Sequence, residues 1–195
     1  REHADYQEGD RGDYLANALA ASAGEGNDPG SERLRRREAH GMAAFTRPRG
    51  LVRAAGDPGS GLDSAAAWAV RPFSQPQLYP AASRTLLRLT AERTRFGIVP
   101  SEGWGGGVDP WMAPTAWSAW ALAALADHAR RAGSPALARI ERRAALRLLA
   151  ALRRAATPAG ALPERVDARS GVPRSTTPLA WPHAFAILTL RELWP

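Results

Sequence analysis

The chain has 195 residues, 45% of them hydrophobic, and no apolar run near the roughly 18 residues of a membrane span, so a soluble globular domain with a substantial core is expected. Cysteine is absent, which excludes disulfides, thiolate metal sites and a cysteine nucleophile. All 26 basic residues are arginine and the formal net charge is +7. An all-arginine basic set beside abundant Ala, Gly and Pro is the mark of GC-rich coding, so charge alone does not argue for an acidic partner. Arg35-Arg36-Arg37 and Arg142-Arg143 are interleaved with Glu32, Glu38 and Glu141. That pattern favours solvated helix faces over a nucleic-acid footprint, and neither nucleic acid nor membrane is expected as a partner. No charged-then-apolar leader is read, so no signal peptide is expected in this stretch and the compartment stays open.

Helical signals dominate in chain order. Asp13 to Ala23 reads as a short helix capped by Asp13 and ended by Gly24, and Ser31 to Phe45 follows the breaker Asn27-Asp28-Pro29-Gly30. Residues 46–61 are rich in Gly and Pro and read as an inter-helix loop. Leu62 to Val70 is a third helix, and Pro80 to Arg95 a fourth with proline in its first turn. Pro114 to Ala132, stopped by Gly133, and Pro135 to Ala156, stopped near Pro158, are the clearest. In the second of these, Leu137, Ile140, Ala144, Leu148, Leu149 and Leu152 form one stripe at helical spacing. The last helix spans about Leu179 to Leu193.

Short links such as Gly133-Ser134 alternate with long ones rich in Gly, Pro and Trp, residues 97–113 and 157–178. That alternation suits a toroid of helical hairpins whose long loops gather at one end and build a site. No internal repeat is visible. Seven tryptophans are many for this length. Trp104 and Trp111 fall in the Gly-rich loop, where flat rings can stack on sugar faces, whereas Trp117 and Trp120 read as core. Trp68 and Trp194 are also assigned to packing. His3, His40 and His128 are dispersed and suggest no metal site. Gly103 to Gly107 lacks the Lys-Ser/Thr of a phosphate cradle, and no nucleophile elbow or dinucleotide fingerprint is present.

Ala161-Leu162-Pro163-Glu164-Arg165-Val166-Asp167, followed by a polar loop and Pro178-Leu179-Ala180-Trp181-Pro182-His183-Ala184, resembles the general-base loop of the glucoamylase-like glycoside hydrolases of family 15. Further matches occur in the same order along the chain. Leu62-Asp63-Ser64-Ala65 resembles the start of a barrel helix, and Arg84-Thr85-Leu86 with Gly97-Ile98-Val99-Pro100 resembles the helix and turn before the sugar-binding loop. Gly105-Gly106-Gly107-Val108-Asp109-Pro110-Trp111 resembles the segment that opens an inner helix and sets a Trp by the sugar. The similar part covers roughly residues 62–194. It implies an all-α (α/α)6 toroid of which residues 1–195, a single catalytic domain truncated at its N-terminus relative to the family, hold about the second half.

The activity implied is release of glucose from α-glucosidic bonds of an α-glucan or oligosaccharide with inversion, without a cofactor. Glu164 is then the general base, while Glu102, Trp104, Trp111, Trp181 and His183 are the expected substrate-side residues. Arg165, Trp181 and His183 are the local candidates to support Glu164. Asp5-Tyr6-Gln7-Glu8-Gly9 sits where the family keeps its general-acid loop, with Gln7 at the usual acid position and Glu8 beside it as candidate acid. Where the family carries a substrate-clamping Arg, this chain has Ile98, with Arg95 three residues earlier. Those departures keep other readings in view: a catalytically silent or truncated relative acting as a sugar-binding or helical interaction protein, or a helical toroid of another glycosidase or lyase family. The resemblance leaves linkage, compartment and oligomeric state undetermined.

Overall fold

The computed structural model describes Leu15, Ala18, Leu19, residues 41–57 and residues 59–195. Among these the architecture is all-α. A two-residue hairpin pairs β1 (Thr46–Arg47) with β2 (Gly50–Leu51) antiparallel, with Thr46 opposite Leu51 and Arg47 opposite Gly50. A 3-10 helix follows at Ser64–Ala69, then a 3-10 turn at Pro76–Leu78 that runs into α1 (Tyr79–Ala91). The body is completed by α2 (Met112–Arg131), α3 (Pro135–Ala155) and α4 (Ala180–Leu193).

The helix expected from Leu62 is shorter and tighter than its sequence suggests. Leu62 and Asp63 are drawn into isolated bridges with Val52 and Ser101, so helical geometry begins only at Ser64. Asp63 then caps it, its Oδ1 accepting from the Ala65 N–H at 2.7 Å. Burial pushes the Asp63 carboxyl up from 3.8 to about 6, against the opposing pull of that backbone bond and of Arg53. Helix α1 likewise stops at Ala91, short of Arg95, because Thr94 folds back with its N–H and hydroxyl both donating to the Gly97 carbonyl.

Helix α2 is apolar around its circumference and lies at the centre, packed against α3 on one side and α4 on another. Thirteen of its 20 residues are buried, most of them alanine, so neighbouring backbones approach closely. Gly133, at φ +73°, ends it, and the Ser134 N–H returns to the Ala129 carbonyl at 2.8 Å. The chain reverses at once into α3, with Pro135 in the first turn.

Helix α3 buries Glu141, Ala144, Ala145, Leu148, Ala151, Leu152 and Ala155. Two members of the stripe expected from its spacing, Leu137 and Ile140, are exposed. Leu137 lies in the overhanging first turn, and Ile140 is rotated to the flank of the buried arc. The centre of the arc at that level is taken by Glu141, whose Oε1 accepts from Ser83 Oγ on α1 at 2.6 Å. Glu141 therefore does not balance Arg142 and Arg143 as its position between arginines suggests, and burial raises its carboxyl above the usual range.

Two apolar clusters result among the described residues. The larger joins the 3-10 helix, α1, α2 and α3, with Leu15 and Leu19 contributing. Trp68 and Trp117 pack against it as expected, their rings edge-to-face at 5.7 Å. Trp120 is half-buried and stacks on Phe185 of α4 at 5.9 Å. Trp194, assigned above to packing, is exposed instead, with the Arg142 guanidinium over its ring 5.6 Å from the centre. The smaller cluster, Phe96, Met112, Ala116, Leu152, Ala155, Leu162 and Val166, lies beneath the two long loops and fixes their roots.

Candidate active site

The two loops singled out by sequence meet at the N-terminal end of α2. Trp111 has extended backbone geometry (φ −107°, ψ 132°) and precedes the first helical residue. Its N–H donates to the Ile98 carbonyl at 2.9 Å, and it forms an antiparallel bridge with Arg165. The Met112 N–H, one of the four a helix start cannot satisfy internally, donates to the Glu164 carbonyl at 2.8 Å. The Val166 N–H donates to the Pro110 carbonyl at 3.2 Å, and the Ala168 N–H to Asp109 Oδ1 at 3.0 Å. Segments some fifty residues apart in sequence are thus laced together, mostly through backbone groups.

Gly97 makes the approach to α2 possible. At φ +144° it presents no side chain toward Thr115, whose hydroxyl would collide with a Cβ there. That hydroxyl accepts from the Ile98 N–H at 3.1 Å and donates to the Trp111 carbonyl at 2.7 Å. A residue with a Cβ at position 97 would suffer both the clash and an unfavourable φ.

Glu164 is half-buried within this frame. Its Oε2 accepts from Ser175 Oγ at 2.8 Å, and its own N–H donates to the Thr176 carbonyl at 2.8 Å. The group that holds the carboxylate is therefore Ser175, eleven residues on, rather than Arg165, Trp181 or His183. Arg165 instead lays its guanidinium over the Trp111 ring, 5.8 Å from the centroid. His183 acts one step back: its Nε2 accepts from the Leu162 N–H at 2.9 Å, while the Leu179 N–H donates to the Leu162 carbonyl at the same distance. The start of α4 thereby fixes the strand of chain that carries Glu164.

Trp104 and Trp111 stand edge-to-face with ring centres 5.8 Å apart. Trp111 Nε1 and Arg165 Nε are buried and have no hydrogen-bond partner among the described residues. Trp181 is exposed at the first turn of α4, its ring 6.2 Å from that of Phe185. Glu102 is placed differently from a carboxylate that faces a ligand. Its Oε1 is shared by Arg49 and Arg88, each at 2.9 Å, and its Oε2 accepts from the Leu62 N–H at 3.2 Å. Ile98, at the position where the resemblance anticipates a clamping Arg, is buried. Glu8 lies outside the described residues.

Asp167 shapes the outer end of the base loop. It accepts from the N–H groups of Arg169 and Ser170 and from Ser170 Oγ, and it pairs with Arg174. Those bonds, led by Arg174, hold its carboxyl well below the usual carboxylate range. No group of three or more His, Asp or Glu side chains that could hold a metal occurs among the described residues, and none of their helices is long and apolar enough to cross a membrane.

No protein-family model and no curated protein matches the chain. Solved structures do. A wild-type glycosidase superposes with a TM-score of 0.65 at 22% identity, covering 92% of this chain and 52% of its own. A glucoamylase of Hormoconis resinae superposes with a TM-score of 0.68 at 14% identity, covering 91% of this chain and 41% of its own. The fold is shared with glycosidases. This chain spans about half the length of the solved structures it matches.

Ser175 is not legible in the sequence, since a serine in a polar loop carries no signal of its own. The Gly-rich and Leu-Pro-Glu loops were both legible, and the structure brings them together. It also brings His183 to the Leu162 end of the base loop, while Trp181 stays on the outside of α4.

Proposed function

We propose that this chain corresponds to the second half of the catalytic barrel of a glucoamylase-like family 15 glycoside hydrolase, residues 1–195 belonging to one catalytic domain. Glu164 is its general base in hydrolysis of α-glucosidic bonds with inversion. The observation that carries the reading is the lacing of the Glu164 loop to the Trp111 loop at the start of α2, with the Glu164 carboxylate held by Ser175. The glycosidase and glucoamylase folds of the structural neighbours support a carbohydrate substrate, an oligosaccharide or α-glucan.

Chemically, the carboxylate of Glu164 takes a proton from a water molecule as that water forms a bond to the anomeric carbon. The bond from that carbon to the leaving oxygen breaks on the opposite face, and a carboxylic acid supplies the leaving oxygen with its proton. Glu8 is the candidate for that acid. Trp104 and Trp111 offer apolar ring faces to the sugar. His183 positions the loop through Leu162, and Trp181 stands at the rim. Glu102, with both oxygens engaged, orders the loop root rather than contacting sugar in this arrangement.

Buried Ile98 favours a second reading, a silent relative that binds sugar or acts as a helical interaction protein, because it removes the charged clamp the family uses. One experiment separates the two: glucose release from maltotriose and isomaltotriose, with the anomer followed by NMR, for the chain and for Glu164→Gln. β-Glucose that disappears in the variant supports the hydrolase. No release from either protein, with Trp104 and Trp111 fluorescence still responding to maltotriose, supports the silent binder.

A further inference from the structure

Helix α3 carries six arginines, Arg139, Arg142, Arg143, Arg147, Arg153 and Arg154, and a single acid, Glu141. In sequence that acid interleaves with Arg142 and Arg143 and suggests a balanced, solvated face. The structure takes it out of the face, since Glu141 is 1% exposed and turned inward to Ser83. All six arginines are exposed. At about 100° per residue they fall within an arc of about 140°, opposite the buried residues that centre on Glu141 and Leu148.

Among the described residues no carboxylate pairs with any of the six. The acids of the helices packed against α3 are engaged elsewhere: Asp127 of α2 with Arg130 and Arg131, Glu192 of α4 with Arg71, and Glu92 at the end of α1 with Arg88. Arg142 and Arg154 do donate hydrogen bonds, but to the neutral carbonyls of Leu193 at 3.2 Å and Arg95 at 2.9 Å. The charge of the face is therefore uncompensated over the stretch from Arg139 to Arg154, about 23 Å of helix.

Large apolar side chains are set into the same face. Leu146 lies within the arc and is 37% exposed, and Ile140 at its edge is 54% exposed. Trp194, 57% exposed, stands beside it with the Arg142 guanidinium over its ring. The phosphates of a nucleic-acid duplex match the arginines but give these three side chains no role. A lipid headgroup layer suits both kinds, because it presents anionic groups and takes up leucine, isoleucine and tryptophan just beneath them.

We propose that the outer face of α3 is a docking surface for an anionic lipid bilayer, with α3 lying along the membrane surface. Clusters of roughly four to eight basic residues suffice for such adsorption, and α3 supplies six. The apolar side of α3 stays in the core, so the protein rests on the bilayer without crossing it, in keeping with the absence of a spanning helix among the described residues. The proposal is independent of the hydrolytic reading.

The test is co-sedimentation of the intact chain with vesicles of three parts phosphatidylcholine to one part phosphatidylglycerol, at about 0.1 M salt. Binding is expected there, weakening as salt rises, and not on vesicles of phosphatidylcholine alone. Replacing Arg139, Arg143 and Arg147 together by glutamine should lower the affinity about a hundredfold, roughly fivefold per arginine, with the far-UV circular dichroism unchanged. If that variant loses helicity, the pair Arg143→Gln and Arg147→Gln takes its place, with a loss of about 25-fold. Arg47→Gln, Arg84→Gln and Arg191→Gln together remove the same charge from other surfaces and should cost less than about fivefold. Leu146→Ser keeps every charge and should still weaken vesicle binding several-fold. Failure to bind the anionic vesicles overturns the proposal. An equal loss from the two triple variants also overturns it, assigning the attraction to net charge. So does tighter binding to a short DNA duplex than to the vesicles, unaffected by Leu146→Ser, which assigns the face to nucleic acid.

Discussion

The α2–α3 hairpin and the pair of loops at the start of α2 are held by different forces. In the hairpin, alanines and leucines close on one another, with Leu122, Ala145 and Leu148 fully buried. In the loops the contacts are backbone bonds, a few side-chain caps, and Glu164 held by one serine hydroxyl. Stability therefore resides mainly in the first region and the proposed chemistry in the second. Changes to one should be separable from changes to the other.

The sharpest separation comes from Glu164→Gln, which keeps the size and one acceptor of the side chain but removes its basicity. We expect glucose release to fall by about 10²–10⁴-fold, with the urea midpoint nearly unchanged. A large loss of stability in this variant would place Glu164 among the residues that hold the fold. Leu148→Ala works in reverse. It empties a fully buried position in the larger cluster and should cost about 2–5 kcal/mol in denaturant unfolding. On the hydrolytic reading proposed above, the KM of the remaining folded protein should not move, and a shifted KM would show that hairpin packing reaches the loops.

Asp63 lies between the two regions, a buried cap bridged to Ser101 in the root of the Gly-rich loop. Its raised value in the fold means that the protonated form suits the folded state. Its stabilising contribution is therefore full below about pH 4 and is lost as pH rises through about 6. Asp63→Asn keeps the acceptor for Ala65 without the charge, so it should gain on the order of 1–3 kcal/mol at pH 7.5 and nothing at pH 4. Parallel stability–pH curves for the two proteins would refute this. Ser175→Ala is the mildest change. Removing one hydroxyl that holds Glu164 should lower kcat about 2–10-fold at constant melting temperature, with Ser175→Thr restoring part of the rate.

Much of the helical frame was legible because periodic apolar residues and the breakers Gly133 and Pro135 are local signals. The ends of α2 and α3 lie within two residues of their expected positions. The structure departs from the local pattern where tertiary contacts overrule it. Leu137 and Ile140 have the right character for a buried stripe but lie beyond the reach of the neighbouring helices. Glu141 reads as one more surface charge and turns inward to Ser83. In the site, Trp104, Trp111 and Glu164 were visible through motif, since their residue types are distinctive. The Met112–Glu164 bond, the Arg165 guanidinium over Trp111 and the Ser175 hydroxyl were not. They join segments separated in sequence through groups that every chain possesses.

The lacing of the two loops also bears on motion. A loop can swing as a lid only if its bonds to the rest of the molecule break at low cost, and here each loop supplies the partners of the other. Detaching the Glu164 segment strips the first turn of α2 of its acceptor, and lifting the Trp111 segment leaves the Val166 amide without one. The two can open only as a single unit. The laced pair then behaves as one rigid ledge at the start of α2, a standing shape rather than a lid that closes.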